Sequence, residues 1–316
     1  FFFKQKTAYE IPKRDWSSDV CSSDLLVAEY RPALERSSTG GYGFVAPALV
    51  DGNKLICKVG GEPSAMIVAF DKKTGKELWK SLGTYDGFGE SALVIVNAAR
   101  VRQLIVWHTA GIASLDPETG KIYWEYPWKP ERSTVVTTPI QVGNILFFAG
   151  YYHGSQAFTL DEDKPGIHVL WKSKSESETV TDAVHPMQST PLVVGDYIYG
   201  IDSHGELRCV ELKTGDRVWA TQAVTRDRAL HANAHMVRNG DRFFISNDFG
   251  ELIIATLARD GYHEIGRTAL ITPTAPPTQR RSRDKINWTF PAYANKHIIT
   301  RNDEEIVSFN LAADAK

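Results

Sequence analysis

The chain has 316 residues, 42% of them hydrophobic, with 36 Lys+Arg against 38 Asp+Glu. A net charge of −2 excludes an electrostatic nucleic-acid binder, and the ordinary hydrophobic content excludes wholesale disorder. No run of about 18 apolar residues is available to span a membrane, and three cysteines cannot build a disulfide framework.

Residues 1–25 do not read as part of a fold. Lys4 to Ile11 and Asp15 to Leu25 back-translate into standard sequencing-library oligonucleotides, with Pro12 to Arg14 where a variable barcode would lie. The stretch lacks the continuous apolar core of roughly 7–15 residues that a secretory signal requires. It is expected to be translated adapter DNA, leaving 26–316 as a single domain whose natural N-terminus and leader are missing. Cys57 and Cys209 are then the remaining cysteines.

From Phe44 onward the chain is a repeat. The first unit starts near Ala46 and ends in Ala69-Phe70-Asp71-Lys72-Lys73-Thr74-Gly75-Lys76-Glu77-Leu78-Trp79. The second starts near Ser91 and ends in Ser114-Leu115-Asp116-Pro117-Glu118-Thr119-Gly120-Lys121-Ile122-Tyr123-Trp124. A third runs from Thr138, through apolar runs about Gly143, to a weaker copy at Leu160, Gly166 and Trp171. The fourth begins at Thr190, turns at Asp202-Ser203-His204-Gly205 and closes on Cys209 to Trp219 around Gly215. In the fifth, an entry near Ala234 and a turn at Asn247 to Gly250 lead to Leu257, Gly261 and Ile265, with Ile265 read in the place of the Trp. A Pro- and Arg-rich surface loop, Thr272 to Arg283, precedes a sixth unit that begins near Phe290, turns at Asn302 to Glu305 and stops after Leu311.

Trp79, Trp124, Trp171 and Trp219 are spaced 45, 47 and 48 residues apart. A fixed period of this size marks a propeller, solenoid or array. Each period holds four short β-rich runs separated by turns, and none shows sustained helical periodicity. The expected fold is therefore all-β: a propeller of four-stranded antiparallel blades. Asp71 and Asp116 are expected to hold turn amides, Gly75, Gly120 and Gly215 to take positive φ, and the Trp rings to wedge against the next blade.

The Asp-x-x-Thr-Gly-x-x-x-Trp pattern resembles the pyrroloquinoline-quinone-type repeat of quinoprotein alcohol dehydrogenases and their non-catalytic relatives. Gly43 to Cys57 followed by Gly60-Gly61 is most similar to bacterial propellers of that non-catalytic-looking branch. The resemblance implies an eight-bladed ring of which about six blades are present. It also implies a periplasmic or secreted location.

Three functions follow as expectations. The first is a non-catalytic binding or scaffold module that presents loops to a protein or polysaccharide partner. The second is a quinone-dependent dehydrogenase of an alcohol or sugar, with pyrroloquinoline quinone and Ca²⁺. The third resembles the scaffold lipoprotein of outer-membrane assembly. The quinone enzymes carry an adjacent cysteine pair and an oxygen-rich Ca²⁺ site of roughly six to eight ligands. Here no two cysteines of the repeat region are adjacent and no acidic cluster stands out, so no catalytic, cofactor-binding or metal residue is assigned.

Glu90, His185, His231 and His235 fall at entrances to innermost strands, which converge on a propeller's channel, and are candidates for a polar channel mouth. His204, in a hairpin turn, is expected to be exposed.

Overall fold

The computed structural model describes residues 46–61, 64–83, 89–128, 135–152, 154–175, 177, 179–276 and 285–312. The expectations for residues 1–25, and for residues 277–284 of the Pro- and Arg-rich loop, lie outside these residues.

The described residues form six antiparallel sheets and no helix. The first sheet holds β1 (Leu49–Asp51), β2 (Lys54–Gly61), β3 (Ala65–Asp71) and β4 (Glu77–Ser81). The second holds β5 (Val94–Ala98), β6 (Val101–His108), β7 (Gly111–Leu115) and β8 (Ile122–Pro127). The third comprises β9 (Ile140–Val142), β10 (Ile145–Ala149), β11 (Ser155–Leu160) and β12 (Ile167–Lys172). The fourth comprises β13 (Leu192–Val194), β14 (Tyr197–Ile201), β15 (Leu207–Glu211) and β16 (Arg217–Thr221). The fifth has β17 (Ala234–Asn239), β18 (Arg242–Asn247), β19 (Glu251–Ala258) and β20 (Gly261–Ala269). The sixth has three strands, β21 (Ala292–Ala294), β22 (His297–Arg301) and β23 (Ile306–Asn310).

In every sheet, strands adjacent in sequence are adjacent in space, the arrangement of a propeller blade. The middle strands read as continuous apolar runs because both their faces are covered. Met66-Ile67-Val68-Ala69, Leu104-Ile105-Val106-Trp107 and Leu146-Phe147-Phe148 are all at most 1% exposed.

The core is a series of seams between consecutive sheets. Ile56, Met66, Ile67, Ala69 and Trp79 pack on Leu104, Val106, Ala113 and Leu115 of the second sheet. Val96, Ile105, Trp107 and Ile112 pack on Leu146, Phe148, Phe158 and Leu160 of the third. Similar clusters join the third sheet to the fourth and the fourth to the fifth. Each seam hides the sheet faces that a lone four-stranded sheet would leave in water.

A bulge recurs in the outermost strand. In the first sheet Ala69 faces Trp79 and Phe70 faces Glu77, so Leu78 is the extra residue. Tyr123, Leu170 and Val218 hold the same place in the next three sheets. In the fifth, Ile254 faces Gly266 and Ala255 faces Glu264, which makes Ile265 the extra residue. The sequence reading therefore needs correction there: Gly266, not Ile265, holds the Trp position. The difference lies in the turn: Gly261 opens β20 itself, opposite Ala258, whereas Gly75, Gly120 and Gly215 precede their strands, so the equivalent of the Trp falls five residues after the glycine rather than four.

The seam contacts explain the repeated Trp and Gly. A Cβ on Gly120 would lie 2.5 Å from the ring of Trp79, and one on Gly215 would lie 2.5 Å from that of Trp171. Both glycines also have positive φ, 72° and 77°. The ring of one sheet thus lies flat on the turn of the next. Trp171 Nε1 donates to Leu212 O (2.7 Å) and Trp219 Nε1 to Ala258 O (2.9 Å), again in the following sheet. Trp124 differs, donating within its own sheet to Gln103 (3.0 Å).

Candidate functional site

Up-and-down order gives each sheet two ends. The first-to-second and third-to-fourth turns lie at one, the turn face. The second-to-third hairpins and the sheet-to-sheet linkers lie at the other, the linker face.

On the turn face, the carboxylate of Asp71 accepts from Lys73 N (3.0 Å), Thr74 N (2.8 Å) and Thr74 Oγ1 (3.0 Å). The hydrogen bonds from Thr74 hold it below the usual carboxylate range. Asp116 accepts from Glu118 N (2.7 Å). Gly75 N and Gly120 N each donate back to the Asp carbonyl at 2.8 Å. These groups are consumed by turn geometry.

In four of the six sheets the residue that follows or ends the second strand is polar and lies on the linker face: His108, Asp202, Asn247 and Asn302. Three of them tie the hairpin to the linker arriving from the previous sheet. Asn247 Nδ2 donates to Val224 O and Asn302 Nδ2 to Thr272 O, both at 2.9 Å. Asp202, 1% exposed, accepts from Thr181 Oγ1 (3.0 Å), His185 N (3.1 Å) and Arg208 Nη1 (3.1 Å). Arg208, itself buried, also donates to Ala183 O (2.9 Å) and pairs with Glu206. A buried ion pair of this kind is tolerated because further hydrogen bonds fill its remaining valences.

His185 lies at the centre of that network and is fully buried. Its Nε2 meets Asp182 Oδ1 at 3.0 Å. Burial would raise the Asp182 carboxyl, but His185 and the amides of Lys174 and Ala183 outweigh it and hold the group far below its ordinary value. A Cβ on Gly154 would come within 2.7 Å of His185 Cε1, so the third-sheet hairpin closes directly over the imidazole.

The other candidates occupy different seams. His231, at φ 63°, sets its ring edge-on to Tyr151 (5.7 Å) and donates its amide to Ser203 O (2.8 Å). His235 pairs with Asn233 (3.2 Å) and packs edge-on against Phe290 (4.6 Å). Burial pushes its imidazole down to about 4, against a weaker opposing bond with the Trp288 backbone. Asn233 is fixed in turn by Ser189 Oγ (2.6 Å) and, through its amide, by Asp248 (2.9 Å). Glu90 lies apart, beside the second sheet, with its amide on Val135 O (2.7 Å). Burial raises its carboxyl, opposed in part by the charge of Lys58.

His204 corrects the sequence reading. It is 7% exposed, because Gln222 Nε2 (3.4 Å) and Ala229 N (3.4 Å) reach its carbonyl as the following linker crosses over it.

Two residues escaped the sequence reading, Arg208 and Lys58. Lys58 is buried, donates to Trp107 O (2.7 Å) across the first seam, and is pushed down to about 7 by burial. Each is a charge inside the apolar run of a middle strand, and that interruption was the signal available.

Among the described residues, no three His, Cys, Asp or Glu side chains converge to hold a metal ion. Cys57 and Cys209 are free thiols in different sheets, each pushed up to about 11 by burial.

The comparisons agree with this architecture. The family described as outer membrane protein assembly factor BamB matches residues 39–221. BamB from Moraxella catarrhalis is similar in structure, with TM-score 0.57 and 16% identity over 83% of this chain and 71% of that one. The computationally designed Ika8 protein gives TM-score 0.51 and 11% identity over 84% and 71%. Quinohemoprotein alcohol dehydrogenase from Comamonas testosteroni gives TM-score 0.47 and 11% identity over 82% and 51%. A search of curated proteins returns no match.

Proposed function

Because the chain belongs to the family of the outer membrane protein assembly factor BamB, built on pyrroloquinoline-quinone-type repeats, we propose that it is a non-catalytic scaffold whose linker face presents ordered loops to a protein partner. The observation that carries this reading is the buried Asp202–Arg208–His185 network. Groups that could serve as acid, base or ligand are there spent on fixing the path of the chain. Similar ties at Asn247 and Asn302 hold the linkers of the next sheets. A scaffold needs this, because a loop fixed in advance loses less entropy when a partner docks. Under this reading the six sheets belong to an eight-bladed ring working in the periplasm or outside the cell. The outer-membrane assembly role of that family is the one we assign to this chain's partner binding.

The test is site-specific photocrosslinking in a bacterium that exports the full-length protein. A photoreactive residue at Gln188, on the linker face, should give an adduct with a component of outer-membrane protein assembly. One at Lys73, on the turn face, should not. Adducts from Lys73 alone, or none from either position, would overturn the assignment.

A further inference from the structure

The first seam holds titratable groups that the loop-fixing network does not use. Lys58 lies on β2 and, by alternation along the strand, shares the face of Ile56, which packs on the second sheet. His108 ends β6 on the face of Leu104 and Val106, which meets it. Glu90 arrives on the linker between the two sheets. Lys58 is 5% exposed, and among the described residues its amine makes one hydrogen bond, to Trp107 O (2.7 Å). The Glu90 carboxyl makes none there. The two groups feel each other's charge, yet they form neither an ion pair nor a hydrogen bond. A gap is left between a buried amine and a carboxyl with open valences. Burial pushes the amine down to about 7 against the pull of Glu90. It pushes the His108 imidazole down to about 4, helped by the Lys58 charge, so His108 adds no competing cation near neutral pH.

We propose that Lys58 is a carbon dioxide site, its amine adding CO2 to form a carbamate that lies between Nζ and Glu90. The nitrogen lone pair bonds to the carbon, one C=O pair moves onto oxygen, and an N–H proton passes to the Glu90 carboxylate. The products are a carbamate anion and a neutral carboxylic acid, so the buried cluster carries one negative charge before and after. The acid hydrogen then bonds a carbamate oxygen, a charge-assisted contact that fills the open valences. A surface lysine meets neither condition: its amine is protonated near neutral pH, and its carbamate finds no acid beside it. CO2 is small and uncharged, which suits a seam that an ion would enter only at a large desolvation cost. Glu90, partly exposed, marks the opening on the linker face.

The full chain is equilibrated with CO2 and bicarbonate at about pH 8, where such an amine is mostly neutral. Triethyloxonium then fixes carbamates as stable esters. Peptide mass spectrometry should place the ester on Lys58 and not on Lys213, which is 69% exposed. The α-amino terminus is resolved as a separate peptide. NMR of isotope-labelled bicarbonate should show a carbamate signal that Lys58→Met abolishes and Lys213→Arg leaves intact. Glu90→Gln should weaken CO2 uptake at least about tenfold, because the proton acceptor is gone, with circular dichroism unchanged. No ester on Lys58 of the wild type, an ester there no more frequent than on Lys213, or uptake indifferent to Glu90→Gln would overturn the proposal.

Discussion

The indole of Trp171 in the third sheet covers Gly215 in the fourth so closely that a methyl group on the glycine would lie 2.5 Å from the ring. Gly215 is thus glycine for two reasons, its positive φ and the ring above it.

The two reasons can be separated. Gly215→Ala meets both obstacles and should cost about 2–4 kcal/mol. Gly195→Ala meets only the backbone one, since φ is 60° and nothing lies within 4 Å, and should cost about 1–2 kcal/mol. Urea denaturation of both variants measures the difference; equal costs would contradict the ring contact.

Removing one partner of the buried pair should be severe. Asp202→Ala leaves Arg208 buried without its carboxylate and releases Thr181 and the His185 amide, which predicts a loss of about 3–5 kcal/mol. Asp196 is 71% exposed and sits 3.9 Å from Lys213. Asp196→Ala should change stability by no more than about 0.5 kcal/mol in the same assay.

Lys58 predicts a pH dependence of definite sign. Its folded value of about 7 is below the roughly 10.4 of an unfolded lysine. Between those values the unfolded chain holds the proton and the native chain does not. The group therefore makes stability rise with pH across that window, by up to about 1.4 kcal/mol per unit. Lys58→Met should remove this slope, read as the wild-type-minus-variant difference in unfolding free energy from pH 7 to 10.

The quinone reading is tested by calorimetry. Full-length protein titrated with pyrroloquinoline quinone and Ca²⁺ should show no saturable micromolar binding, and no alcohol-dependent dye reduction. Binding with turnover would replace the scaffold reading by the dehydrogenase one.

The fold was legible because a repeat states its own period: Gly to Trp in four residues, recurring about every 46, locates successive sheets before any strand is assigned. The place of Gly266 was not legible, since a glycine that opens a strand and one that precedes it look the same in sequence. The linker face was harder still. Asp202, Asn247 and Asn302 read as ordinary turn residues, and their second task depends on linkers brought near by the third dimension. His204 was misjudged for the same reason: a hairpin tip is exposed only if nothing crosses it.

The Trp-on-glycine contact also limits how such a chain can change its length in evolution. Trp79 rests on Gly120 and Trp171 on Gly215, so a donor ring and its acceptor turn belong to different repeats. Duplicating one whole period copies a ring and a turn together. Losing either member alone leaves a clash or a hole, and the two should drift together.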